Sequence, residues 1–500
     1  MSMEWSNLLS DKRLGKDIYS DKIVESTYEE KGYIRNEFEK DYKRILSCAS
    51  FRRLQDKTQV FPLDKSDFVR TRLTHSYEVS AIAKTLGTMI VSRLNTSSSI
   101  EQEDKVVLQN IPEILACAGL IHDIGNTPFG HFGEEIIKRW FEVNFKNYLP
   151  NLVKIGDQNL AHFSFPQKYQ TDFHFFDGNA QALRLLTKLH FHDDGYGLNL
   201  TAAVINTLIK YPNFSDEVRS KGEIGYALLK KKMGYFYADE ERLMSILEIT
   251  GVDRRVRHPL TFILEAADDI AYRTADIEDA LKKGLYTLDE LVDFAEAEIK
   301  KHPNDKGKAF ELIKKLKFLK NENDDLHAMQ KWIPYVQDWL MYVVVYRFDF
   351  KYDAIMAGTY DEDLFSETFH EHSIELFDKI MGKFVYSDRA ILKLELSANT
   401  ILSGLLERFI PAVLYYDEKF KNENYVEIAA YKKIYKLLSD NYIQAYKNEL
   451  KKYNQIENVS EDEKIQYDVY LRLLLVVDYI SGMTDSYAKS LYQDLAGIYG

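Results

Sequence analysis

Residues Ile111 to Ile121 form an almost wholly apolar run, and directly after it the chain sets His122 and Asp123 side by side. A fold that buries this run carries an imidazole and a carboxylate to the edge of its interior. Burying a carboxylate is costly unless a cation or hydrogen-bond donors compensate it. Any structure the chain adopts must therefore gather compensating groups at that spot, and a divalent metal would do so. Val106, Val107, Ile111, Leu115 and Ala118 recur at near-helical spacing, which predicts a helix with one buried face that delivers the pair inward. Gly125 marks its predicted end. A helix-end histidine beside a capping aspartate would look the same in isolation, so the rest of the chain must decide.

His75 precedes Val79, Ile82, Ala83, Leu86, Met89 and Ile90, whose spacing defines the buried stripe of an amphipathic helix. Four residues before Val79, His75 falls on the inward face near the helix start. Pro259 suits the first turn of another helix, on which Asp268, Tyr272 and Asp276 share one face. Two carboxylates and a phenol are a heavy polar load for a merely structural helix. His75, His122, Asp123 and Asp268 make a mixed nitrogen and oxygen donor set suited to Mn²⁺, Fe²⁺, Zn²⁺ or Mg²⁺. Neither Cys48 nor Cys117 is needed.

The order His, His-Asp, Asp on three separate helices resembles the HD superfamily of metal-dependent phosphohydrolases. Within it, further segments resemble the motifs of the deoxyguanosine triphosphate triphosphohydrolases. These are Phe51 to Leu63, Val69 to Ser76, His122 to Glu134 (HDIGNTPFGHFGE), Phe176 to Gln181, Lys231 to Tyr235, Glu265 to Ala280 and Asp478 to Asp485. They occur in the family's order along nearly the whole chain. The resemblance implies an all-α fold, an HD-domain helical core with N- and C-terminal helical extensions in one compact body. It implies hydrolysis of dGTP to deoxyguanosine and tripolyphosphate by attack at the alpha phosphorus, with Mn²⁺ or Mg²⁺ held by His75, His122, Asp123 and Asp268.

By the same resemblance His131 and Glu134 are the catalytic pair. Their i, i+3 spacing lets the carboxylate orient and charge-tune the imidazole, and His131 is assigned as proton donor to the leaving 5′ oxygen. Either a metal-bound water or a water activated by this pair meets the need for a nucleophile. Arg72, Asn179, Lys210, Tyr211 and Lys232 resemble the contacts to the triphosphate, whose charge needs matched cations with donor hydrogens. Gln59 and Asp276 resemble a clamp on the 3′ hydroxyl, the Tyr272 ring leaves no room for a ribose 2′ hydroxyl, and Val60 lies against the base. For base recognition Glu395 is the counterpart. Between Lys432 and Tyr446, where relatives are arginine-rich, the chain offers Lys433, Lys436, Asn441 and Gln444. A broader deoxynucleotide triphosphohydrolase is therefore the alternative, followed by another HD phosphohydrolase such as a nucleotidase or phosphodiesterase. A catalytically silent scaffold has no chemical need for the four ligands with His131 and Glu134.

Only 10 Pro and 23 Gly among 500 residues, with repeated 3.6-residue periods, predict helices throughout. The reading assigns residues 1–64 to an N-terminal helical segment contributing to the site, 65–285 to the HD core and 286–500 to a C-terminal helical region packed on it. Asn144 to Phe176 reads as irregular, and Lys300 to Asp325 as a solvated loop or the exposed face of a helix pair. Further helices are expected within Ala390 to Phe409 and Gln466 to Ile480. No apolar run approaches the ~20 residues that span a bilayer, no secretory leader is evident, and two cysteines imply no disulfide framework. A cytoplasmic enzyme is expected. A net charge of −13 argues against a protein that coats nucleic acid. Lys12-Arg13, Lys43-Arg44, Arg52-Arg53 and Arg254 to Arg257 still offer a local groove for single-stranded DNA as a regulator. The resemblance further implies a homo-oligomer, ring-like or hexameric.

Overall fold

The computed structural model describes residues 3–15, 36–61, 68–97, 100–147, 165–190, 195–223, 227–301, 308–368, 371–385, 389–417 and 428–498. Pro62 and Leu63, and most of the stretch read as irregular, lie outside the described residues. Among those described the chain is helical, with no strand and only two isolated bridges, Arg13 with Thr201 and Thr58 with Thr71. Three helices carry the expected metal ligands: α1 (Arg72–Asn95), α2 (Ile111–Ile121) and, after the helix α3 (His131–Asn147) and the short α4 (Gly178–Arg184), α5 (Pro259–Lys282).

A reciprocal cap starts α1. Thr71 Oγ1 accepts from the Thr74 amide while Thr74 Oγ1 accepts from the Thr71 amide, which satisfies two otherwise orphaned donors. His75 thereby falls in the first turn with no exposed surface, and Val79, Ile82, Ala83, Leu86 and Ile90 are buried along the expected stripe.

The helix expected to run on from Val106 is broken. Gln102–Val107 is a separate short helix, Leu108–Asn110 makes a single tight turn, and α2 starts at Ile111. Pro112 gives the reason: its missing N–H costs nothing in a first turn but would interrupt a continuing helix. Val106 is consequently 69% exposed and belongs to no buried stripe. At its other end α2 stops at Ile121, before Gly125, with His122 as the capping residue.

Helices α1 and α2 approach with their backbones in contact. A Cβ added at Gly119 would lie 2.6 Å from Ser80 Cα, so only glycine permits this crossing. Ser80 Oγ bridges it by donating to the Ala116 carbonyl at 2.8 Å. Helix α5 starts on Pro259, with His258 Nδ1 accepting from the Leu260 amide, and packs on both α1 and α2. Arg70, just before α1, ties it down through Glu78 at 2.8 Å on α1 and Glu278 and Asp279, each at 2.5 Å, on α5.

Of the charged segment from Lys300 to Asp325, residues 302–307 lie outside the described residues and most of the rest belongs to the helices Leu288–Lys300 and Lys308–Glu322, whose Leu291, Leu312 and Leu316 are buried. Both helices expected near the C-terminus are present and longer than their apolar runs: α6 (Arg389–Tyr415) and α7 (Glu461–Ser481), followed by α8 (Asp485–Ala496). Helix α6 packs on α3, α7 and α8, so one hydrophobic cluster extends from Met3 to Leu491. Several basic residues singled out for a groove hold the fold together instead. Arg13 pairs with Glu37 and Asp41, Arg44 donates to the Asn199 carbonyl, and Arg257 pairs with Glu265. Among the described residues no helix is long and apolar enough to cross a membrane.

Gly119→Ala should drive α1 and α2 apart at the level of their ligands. We expect a loss of about 1–3 kcal/mol, read as a lower midpoint in denaturant unfolding followed by circular dichroism.

Candidate functional site

Asp268 on α5 stands between the two imidazoles. Its Oδ1 lies 3.1 Å from His75 Nε2 and 3.4 Å from His122 Nε2, and the two rings meet edge to face with centroids 5.3 Å apart. His122 Nδ1 donates to the Gly119 carbonyl at 2.9 Å. That bond fixes the tautomer, so Nε2 presents a lone pair towards the carboxylate. Neither His122 Nε2 nor His75 Nδ1 finds a hydrogen-bond partner of its own. One donor atom from each of His75, His122 and Asp268 falls within 4.8 Å of the others, a separation that a single metal ion fits. Asp123, the fourth expected ligand, stands at the edge of this group: its Oδ2 is 3.5 Å from His122 Nε2 and is ion-paired with Arg72.

The electrostatics agree with a cation site. Burial alone would raise both carboxyls, but His122 and Arg72 together hold Asp123 well below the usual range, and His122 and Lys210 do the same for Asp268. Burial would lower His122, and the adjacent Asp123 and Asp268 outweigh it. Ionised, partly buried oxygen donors beside an unpartnered imidazole nitrogen suit a divalent ion of intermediate or hard character.

The loop after this centre turns sharply. Phe129 and Gly130 both take left-handed backbone angles, φ 63° and 59°, which is uncommon for phenylalanine and marks local strain. Thr127 Oγ1 closes the turn on the Gly130 carbonyl at 2.8 Å. Helix α3 then begins at His131, whose Nδ1 bonds Glu134 Oε2 at 3.0 Å. The other oxygen, Glu134 Oε1, accepts from the Gly178 amide at 3.0 Å at the start of α4. Burial would raise Glu134, yet the hydrogen bond from His131 helps to bring it down to about 2. An exposed imidazole thus rests on a buried, ionised and doubly bonded carboxylate. Gly125, expected as a helix stop, serves close approach instead: a Cβ there would lie 2.1 Å from the Gly178 carbonyl oxygen of the α4 start.

A cavity of about 560 Å³ opens over these groups. Its walls bring together Gln59, Val60, Arg72, Asp123, His131, Asp268, Tyr272, Asp276 and Glu395, from four separate parts of the chain. Gln59 Oε1 and Arg72 Nε are buried without partners. Burial, reinforced by the nearby Asp279, pushes the Asp276 carboxyl well above the usual carboxylate range. Lys210 reaches the site through Asp268 Oδ2 at 3.4 Å. Of the five residues expected at the triphosphate only Arg72 forms the cavity wall; Lys210, Asn179, Lys232 and Tyr211 do not. Asn179 Nδ2 donates to Asp177 Oδ1 at 2.6 Å, Lys232 pairs with Asp177 Oδ2 at 2.8 Å, and Tyr211 is buried. Thr58, Phe129, Gly130 and Phe132 also line the cavity and were not singled out from sequence. The signal for the last three was present within the motif from His122 to Glu134, where two phenylalanines flank a glycine and the histidine.

Comparison with known proteins bears on this arrangement. A model of the HD domain matches residues 72–271. Over 99% of its length and 100% of the relative's, the chain is 43% identical to a deoxyguanosinetriphosphate triphosphohydrolase-like protein of Listeria monocytogenes. A protein of the same description from Synechocystis is 31% identical, again over 99% of this chain and 100% of the relative. A deoxyguanosinetriphosphate triphosphohydrolase of Yersinia enterocolitica is 31% identical over 94% of this chain and 95% of its own. The chain therefore belongs to the HD-domain superfamily and, within it, to the deoxyguanosinetriphosphate triphosphohydrolase-like family.

Proposed function

We propose that the protein hydrolyses deoxynucleoside triphosphates, dGTP foremost, to the deoxynucleoside and intact tripolyphosphate. The observation that carries this reading is the single cavity in which a metal-type centre, the His131–Glu134 pair and Arg72 meet Gln59, Tyr272, Asp276 and Glu395. The similarity to deoxyguanosinetriphosphate triphosphohydrolases supports it. A divalent metal held by His75, His122, Asp123 and Asp268 would supply Lewis-acid polarisation at the alpha phosphate.

The chain's own groups do the rest. Arg72, already oriented by Asp123, offers its unpartnered Nε and remaining guanidinium hydrogens to phosphate oxygens. Lys210 adds positive charge from the far side of Asp268. Asn179, Tyr211 and Lys232 act from behind the wall or close on the distal phosphates. His131, oriented by Glu134, holds the proton that the departing 5′ oxygen needs. Gln59 Oε1 accepts from the sugar 3′ hydroxyl, and Asp276, biased towards its protonated form, donates to it. One turn along α5 from the metal ligand Asp268, Tyr272 takes the space of a 2′ hydroxyl. Glu395 brings an acceptor to the base, where guanine presents adjacent N–H donors that adenine lacks. A broader preference among deoxynucleotides is the second reading, favoured by the absence of arginine between Lys432 and Tyr446.

Two outcomes check these assignments. After dialysis against Mn²⁺, metal content by plasma mass spectrometry should be near stoichiometric for the native chain and weakened at least on the order of 100-fold in His122→Ala and Asp268→Ala. Unaltered metal uptake in both would remove the proposed centre. Incubation with each of the four deoxynucleotides and GTP, with products separated by ion exchange, should yield tripolyphosphate and nucleoside. His131→Ala should slow that release by about 10²–10⁴-fold, and Tyr272→Ala should gain activity on GTP. Phosphate or pyrophosphate as the primary product would overturn the reading.

A further inference from the structure

We propose that Asp485 and Lys57 are positioning residues through which the junction of the last two helices sets both the catalytic loop and the sugar-side segment. This inference rests on the functional reading above for its kinetic consequences, though not for its structural ones.

Asp485 is the first residue of α8 and is 1% exposed. It is not needed as a helix cap, because Thr484 already caps α8 by accepting from the Tyr487 amide. Instead its carboxylate faces away to two distant segments. Oδ2 accepts from the Thr58 amide at 3.2 Å and from Thr58 Oγ1 at 2.7 Å, and Oδ1 accepts from the Phe129 amide at 2.9 Å. Thr58 immediately precedes Gln59 and Val60. Phe129 opens the left-handed pair that aims His131 into the cavity. One carboxylate therefore joins three chain segments that lie 427 and 356 residues apart in sequence.

Lys57 completes the junction. It is 2% exposed, and its ammonium donates to the Asn126 carbonyl at 2.5 Å and to the Ser481 carbonyl, at the end of α7, at 2.9 Å. Its own carbonyl accepts from the Arg72 amide at 2.9 Å. The single bridge between Thr58 and Thr71 continues the seam beside it. The loop from Asn126 to Phe129 is thus gripped at both ends, by an ammonium at one and a carboxylate at the other. The Thr58, Phe129 and Arg72 contacts each lie within two residues of a group in the proposed reaction: Gln59, His131 or Arg72 itself. Neutral side chains of similar volume could fill this junction at lower desolvation cost. What the two polar side chains add is directed hydrogen bonding that holds a strained turn in one orientation.

The test uses the full-length chain loaded with Mn²⁺. Asp485→Asn turns one acceptor oxygen into a donor that opposes an N–H. Amide hydrogen exchange without nucleotide should accelerate about 10- to 100-fold in residues 57–61 and 127–131, with the rest of the chain unchanged. In the assay, kcat should fall by a similar factor while KM for the triphosphate stays within about 3-fold and metal content is unaltered. Preference for deoxynucleotides over GTP should fall with it. Thr58→Val should show the same split more mildly, and Thr58→Ser, which retains the hydroxyl, should recover the loss. Exchange that is unchanged at these segments, or faster everywhere alike, overturns the proposal, as does an unaltered kcat in an active enzyme. Should the native chain hydrolyse no nucleotide, the functional reading fails while the exchange result still decides the clamp. Should Asp485→Asn not fold, the Thr58→Val and Thr58→Ser pair decides it.

Discussion

The carboxylate of Asp268, partly open to the cavity, is held against the buried His75 and His122 and the largely buried Lys210 ammonium. A largely buried negative charge tolerates little displacement of its partners, because the interaction weakens with distance in a medium that screens poorly. The crossing of α1 and α2 at Gly119, the Ser80 bridge and the triple pairing of Arg70 can all be understood as fixing those distances. Three helices that might otherwise slide over an apolar interface are locked in register by what they carry.

The cavity assigns opposite states to its carboxyl groups. Glu134, bonded to His131 and to the Gly178 amide, is kept ionised, whereas Asp276, buried beside Asp279, is shifted towards protonation. Environments that separate the titration of similar groups allow one site to present an acceptor at one place and a donor at another. Here the ionised group supports the His131 imidazole, and the carboxyl shifted towards protonation lines the cavity together with Gln59 and Tyr272. Asp123 is shared: it stands at the edge of the metal-type centre and is ion-paired with Arg72, so a metal at Asp123 and an anion at Arg72 would be electrostatically coupled.

How far these features could be read from the chain follows from their range. Helix content, the buried stripe after His75 and the capped start of α5 are local, set by residues three or four apart, and were readable. So was the co-occurrence of Gln59, Arg72, Tyr272 and Asp276 around one cavity, through motifs in a shared order. The break before Ile111 was also local; Pro112 signalled it, and apolar periodicity across Val106 and Val107 masked it. Less accessible were contacts whose partners lie far apart. Nothing near Gly125 announces the Gly178 carbonyl, and nothing near Asn179 or Lys232 shows that both turn to Asp177. Phe129 gave no sign of a left-handed backbone, since that conformation is imposed by the closure of Thr127 on Gly130 and by Asp485.

The region matching the HD domain, residues 72–271, contains the metal-type centre and the His131–Glu134 pair but not the whole cavity. Gln59 and Val60 enter from before it, and Asp276 and Glu395 from after it. This division follows from the chemistry. A metal and a proton donor act on phosphate groups common to every nucleotide, so the elements holding them can be shared across many activities. Sugar and base differ among substrates, and the residues proposed to face them sit on outlying segments that can change without disturbing the charges of the centre. Those segments must nevertheless be registered to the centre within a fraction of an ångström for selection to act on the reacting complex rather than on loose binding. Hydrogen bonds between distant ends of the chain, such as those made by Lys57 and Asp485, meet that need, because they couple the variable parts of the cavity to its fixed one without occupying the cavity itself.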